Sequence, residues 1–319
     1  MSEAPEPPPP ALPDVAGFTR RLRSVASLLT TDRMTALGRM RMNEMRHRTA
    51  RAACWIVTAL AAFAATSVTH WDGAQVVAPP EATAKTWIGR ATEIEADLRT
   101  ARIVRTERTE RGVTQPARAF FEAGGPVTSM TWKALPPGRS RGFYESYKSE
   151  IAAYDIDKLL ELDMVPPKVE RDVDGVTGVA VMWVEPTKSF AALGGVPKPP
   201  PARLEKWNRE LIRAKMFHNL IGDIDPNLGN WLVDPAWNVI LIDQSRALTT
   251  TTKLVHQLQR IDQPLWERMR ALSEDGLARA LSQWLDRDQI RALLDRRTGM
   301  QEQIDRLVRA KGQTQVFVR

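Results

Sequence analysis

The stretch GDIDPNLGNWLVDPAWNVILIDQSRAL, residues 222–248, constrains the fold more than any other part of this chain. Two apolar runs, Trp231–Val233 and Val239–Ile242, are too short for helices. The Asp-Pro pair between them is a turn signal, so the spacing predicts a small β-hairpin. Carboxylates and an amide flank its strands: Asp225 and Asn230 before the first, Asp243 directly after the second. Each residue alone has an ordinary explanation. Asp225 with Pro226 and Asn227 makes a common turn, Asn230 caps one, and Asp243 ends a strand. A divalent-metal and phosphate site would need the whole set.

The pattern upstream is equally legible. Strands are predicted near Ala101–Glu107, Ala117–Glu122 and Thr128–Ala134, with Gly112 in the first turn and Gly124–Gly125 in the second. The third strand carries Lys133. Ser146–Leu162 is predicted as a helix with Ala152, Ile156, Leu159 and Leu160 as its apolar stripe and Glu150 on the flank. Two more strands fill Val165–Glu185 around a turn at Asp174–Gly175. The connector KPPPARL precedes a long helix over Glu205–Gly222, and the region after Thr252 is predicted helical to near Lys311, with a start signal at Asp262–Pro264. Strands, helix, strands, helix, hairpin and helices in that order make an α+β fold of a small β-rich lobe and a helical lobe.

Residues 1–51 read as a proline-rich, disordered and then basic region. Residues 52–71 contain no Asp, Glu, Lys or Arg. They read as a hydrophobic helix, either a transmembrane anchor or a signal peptide, with a buried helix as the plain alternative. Arg39, Arg41, Arg46, Arg48 and Arg51 precede this segment, and the next Lys or Arg after it is Lys85. That bias places the N-terminus in the cytoplasm and the rest of the chain outside it. Residues 72–100 read as a linker and short helix, 101–186 as the β-rich lobe and 187–319 as the helical lobe. The single cysteine and four histidines exclude an internal disulfide and give no zinc-ligand spacing. A net charge of +7 suits a phosphate-bearing partner or an anionic membrane surface, but no basic patch with interleaved aromatics marks a specific nucleic-acid site.

Phosphoryl transfer needs one Asp to orient the nucleophile, an Asn and a second Asp for Mg²⁺, and a Lys for the phosphates. Asp225 and Asn230 stand as D-x-x-x-x-N, Asp243 follows on the second strand, and Lys133 and Glu150 lie in order on a strand and the next helix. Together with YKSEIAAYDIDKLLELDMVPPKVERDVDGVTG and DIDPNLGNWLVD…LIDQSRA, this set resembles the protein-kinase-like superfamily. The resemblance is to its atypical branch: the HipA-type bacterial, secretory-pathway and phosphatidylinositol 3- and 4-kinase-like enzymes. It covers roughly residues 100–250.

The resemblance implies a two-lobed fold that binds ATP and Mg²⁺. By it Asp225 is the catalytic base, and Asn230 and Asp243 are the metal ligands. Lys133 grips phosphate with Glu150 as its partner, Val184 and Glu185 form the hinge facing adenine, and the Gly112 turn covers the phosphates. Two positions depart from the branch: Pro226–Asn227 after the catalytic Asp, and Gln244 after the metal Asp. The expected activity is kinase-like transfer to a hydroxyl of an unidentified protein, lipid or small molecule. A nucleotide-binding scaffold without turnover is the alternative, and a basic membrane-surface module is a third.

Overall fold

A computed structural model describes residues 82–108, 117–140, 142–225 and 227–319. The hydrophobic segment 52–71 and Gly112 lie outside the described residues. Among the described residues no helix is long and apolar enough to cross a membrane.

The small lobe begins with helix α1 (Ala91–Thr100), followed by β1 (Ile103–Arg108), β2 (Ala117–Phe121) and β3 (Ser129–Lys133). A short hairpin, β4 (Gly138–Ser140) and β5 (Phe143–Glu145), leads into helix α2 (Tyr147–Leu159), and β6 (Lys168–Val173) and β7 (Val176–Met182) complete the lobe. The main sheet is antiparallel throughout, in the order β1-β2-β3-β7-β6. Period-2 alternation gives it two unlike faces. Ala119, Met130, Val169, Ala180 and Met182 form one core with Trp87, Ile94 and Leu98. The segment expected as linker and short helix therefore packs into the small lobe. Val179 and Val181 point the other way, onto Tyr147 and Ile151 of α2.

Register decides what reaches that second face. Lys133 pairs with Val179, and Lys168 pairs with Val181, so both lysines sit on the α2 side. Gly178 is required by this packing, because a Cβ there would collide with the Lys133 carbonyl. Ser146 caps α2, its side chain accepting from the Lys148 N–H at 3.1 Å. The stripe on α2 needs correcting: Ala152, Ile156 and Leu160 are buried, but Leu159 faces solvent and Glu150, expected on the flank, is fully buried. The helix is sandwiched between the sheet and the large lobe, so it buries more than one face.

The large lobe is built on α3 (Leu204–Ile221) and α6 (Arg287–Lys311), with α4 (Gln263–Ala271), α5 (Glu274–Leu281) and α7 (Gln313–Val316) around them. Helix formation after Thr252 starts later than expected, at Gln263, with Asp262 as N-cap. Trp207, Ala214, Phe217 and Leu220 of α3 share a core with Ile290, Leu293, Met300 and Ile304 of α6. Gly222 ends α3 with φ 64°, and its N–H bonds to the His218 carbonyl. The chain then enters the hairpin β9 (Trp231–Val233) and β10 (Val239–Leu241), which β8 (Lys188–Ser189) extends to three strands. A parallel pair, β11 (Ile261–Asp262) and β12 (Phe317–Val318), ties the C-terminus down. Asp234, read as a turn residue, does sit in the β9–β10 turn. It also accepts from the Thr83 hydroxyl and the Ala84 N–H, fastening the start of the described chain to the large lobe.

Candidate active site

Lys133, the last residue of β3, donates to Glu150 Oε1 at 2.9 Å and pairs with Asp243 Oδ1 at 2.9 Å. Three groups from a strand, a helix and the hairpin thus meet at one ammonium. Burial would pull Lys133 down, but the Asp243 and Glu150 charges outweigh it and raise it above its usual value. Burial would likewise raise Glu150, but Lys133 and Lys168 hold it below the usual carboxylate range. Burial lowers Lys168, against the Glu150 charge.

Lys168 is the feature that sequence reasoning missed. It is 1% exposed and hydrogen-bonds both Glu150 Oε2 and Gln244 Oε1. The Gln244 N–H returns a bond to Glu150 Oε2 at 3.2 Å. Glu150 is therefore fixed through both oxygens, and Gln244 takes part in fixing it. On sequence alone Lys168, Glu170 and Asp172 alternate as the polar face of β6, and nothing local says that the first of them is buried.

Asp243 follows β10 with φ 61°, a left-handed conformation uncommon for a residue other than glycine. Its Oδ1 also accepts from the Ser245 hydroxyl at 3.0 Å. The Asn230 carbonyl accepts from the Ile242 N–H at 3.0 Å, which sets Asn230 opposite the residue before Asp243. Asp225 is reached through Arg246, whose Nη1 lies 2.9 Å from Asp225 Oδ2. Val184 and Glu185 lie just past the end of β7. The Val184 side chain is buried and its carbonyl accepts from Thr187 Oγ1, while Glu185 makes a two-pronged pair with Arg118 at 3.1 Å for each contact.

Asp223, just past the Gly222 cap of α3, is 1% exposed and accepts from the Asp225 N–H at 3.1 Å. Burial raises it to about 7, against that bond and with the Asp243 and Asp225 charges adding. His218 packs edge-on against Trp231, and burial, reinforced by His256, pushes it down to about 3, so it is neutral at pH 7.

The donor set suits Mg²⁺. Asp243 and Asn230 offer hard oxygens, and Asp243 is partly exposed. Mg²⁺ keeps several waters and is held by one or two carboxylates plus substrate phosphates. Among the described residues no group of three His, Cys, Asp or Glu could hold a metal by itself.

No family model and no curated protein matches the sequence. Solved structures do match, and they define an atypical protein-kinase-like fold. Hydra Fam20 with sugar aligns at a TM-score of 0.53 and 17% identity, over 72% of this chain and 92% of that one. The Golgi casein kinase aligns at 0.54 and 12% identity, over 72% and 79%. Its form with Mn/ADP bound aligns at 0.53 and 12%, over 72% and 78%.

Proposed function

We propose that this protein is an ATP- and Mg²⁺-dependent phosphotransferase acting on a hydroxyl acceptor. The observation that carries the reading is the convergence of Lys133, Glu150 and Asp243 within 2.9 Å contacts at one site. The Golgi casein kinase solved with Mn/ADP has the same fold and supports the nucleotide and divalent-ion part of the reading. In the reaction, Asp225 orients the acceptor hydroxyl and takes its proton. The acceptor oxygen bonds to the γ-phosphorus, the bond from that phosphorus to the β–γ bridging oxygen breaks, and ADP leaves. Lys133, aimed by Glu150, holds the phosphates, and Val184 and Glu185 border the adenine. Asp243 and Asn230 would hold Mg²⁺, which would supply neutralising charge to the phosphate oxygens.

The expected result with the full chain is a rise in melting temperature with ATP and Mg²⁺ together, a small response to Mg²⁺ alone, and consumption of ATP when acceptor is present. No response to ATP–Mg²⁺ by melting or calorimetry would remove the nucleotide reading altogether. A shift without consumption would favour the scaffold reading, for which Pro226 in the catalytic loop is the motive.

We further propose that residues 52–71 anchor or export the protein, with the kinase-like unit outside the cytoplasm. The support is the charge-free apolar run and the arginines before it. A reporter fused after Trp71 should be active only outside the cytoplasm; activity inside would reverse the topology.

A further inference from the structure

Arg246 lies three residues past Asp243 and touches two carboxylates that are distant in sequence. Its Nη1 meets Asp225 Oδ2 at 2.9 Å. Its Nε and Nη2 meet Glu145 Oε1 at 2.9 and 2.8 Å. The guanidinium also lies over the Phe143 ring, 4.4 Å from its centre. Phe143 and Glu145 both belong to β5, and Glu145 is 6% exposed. A planar fork with donors on several edges holds both carboxylates at once in a fixed geometry that the freely rotating ammonium of a lysine reproduces only in part.

The surroundings give this bridge a direction. β5 runs straight into Ser146, the N-cap of α2, whose N–H donates to the Ser245 carbonyl at 2.9 Å. One turn into α2, Glu150 accepts from the Gln244 N–H. The segment from Asp243 to Arg246 is thus laced to the start of α2 by consecutive contacts, and its last side chain reaches across to Asp225. One oxygen of Asp225 is taken by Arg246, leaving Oδ1 for a substrate hydroxyl.

We infer that Arg246 is a positioning residue that sets the aim of Asp225 according to the placement of the β4–β5 hairpin and the start of α2. The inference rests on the proposed function, which makes Asp225 the base. Its distinctive consequence is that a change at Glu145 is transmitted to Asp225 through Arg246.

The test compares the full-length wild type with Glu145→Gln, Arg246→Met, Arg246→Lys and the Glu145→Gln/Arg246→Met double variant. Backbone hydrogen exchange is measured first, since it needs no turnover. Glu145→Gln should raise exchange at least about threefold in the loop carrying Asp225 as well as around its own site, while α6 stays unchanged. Unaltered exchange around Asp225 in this mild variant overturns the inference, even if Arg246→Met proves too unstable to use. In turnover assays, Glu145→Gln and Arg246→Met should each lower kcat by about 10²-fold, the scale of a misaimed catalytic group, with KM for ATP held within about twofold. The double variant should be no worse than Arg246→Met, and Arg246→Lys should recover part of kcat. Additive losses, or a raised KM with kcat intact, would overturn it. If the wild type consumes no ATP, the kinase reading falls and the exchange experiment still decides the coupling.

Discussion

Replacing Asp243 by Asn leaves a folded protein whose ATP turnover is lower by about 10³-fold or more. The size follows from what the position supplies. Phosphoryl transfer is catalysed almost entirely by placement and by charge stabilisation, and losing one preorganised stabilising group costs about 10²–10³ in kcat. Asp243 would hold the metal and also pairs with Lys133, so one substitution disturbs both cations of the site. Asn is the discriminating choice because it tolerates the left-handed backbone seen there, φ 61°, and keeps an oxygen for the Ser245 hydroxyl. Alanine would add backbone strain to the result. Lys133 retains Glu150, so the melting temperature should move by only a few degrees, roughly the response to about 1 kcal/mol. Asp225→Asn should lose turnover on the same scale by removing the proton acceptor. Wild-type turnover in Asp243→Asn, measured on protein whose melting curve shows it folded, would exclude Asp243 as a metal ligand.

The parts of this site legible in the sequence were those whose signal is local. The hairpin strand Trp231–Val233 has the bounds its sequence predicts, because a short apolar run between turn residues leaves few alternatives. Strands β2 and β3 came within a residue or two, framed by Gly124–Gly125, which places Lys133 at a strand end beside the site. Glu150 was assigned as a partner by order along the chain and by resemblance, although its helical position suggested a flank. Its burial comes from Lys168 and Gln244, contributed by another strand and by the hairpin. A buried charge is set by partners far off in sequence, and period-2 or period-3.6 patterns carry no information about them. Arg246 and Glu145 escaped notice for the same reason: a surface arginine and a bridging one look alike in a string of letters. Asp223 is a further case, since nothing in its turn-like Gly-Asp context marks a carboxylate removed from water.

Glu150→Gln should cost about 3–5 kcal/mol of stability, the usual penalty for removing one partner of a buried ion pair, and lower the melting temperature on the order of 10 °C. The reason lies in Lys168 more than in Lys133. Lys133 retains Asp243, but Lys168 is fully buried and Glu150 is its ion-pair partner. In the wild type, the depressed Glu150 pKa means that its stabilising effect is complete above the ordinary carboxylate value of 4.5 and is lost as pH falls through the folded value. In the variant the controlling group becomes Lys168, which burial lowers from 10.5. Between that lowered folded value and 10.5 the unfolded chain binds one more proton than the folded one, so across that range the stability of the variant rises with pH and its deficit narrows. Removing both charges separates folding from chemistry. Glu150→Leu with Lys168→Met replaces the pair by apolar side chains of similar size, a change that is often neutral or stabilising, so most of the lost stability should return. Turnover should stay low, because Lys133 would still lack the carboxylate that aims it. Melting curves at several pH values and single-turnover rates on the two variants check both halves. Recovery of activity along with stability would mean that Glu150 serves the fold and has no part in positioning Lys133.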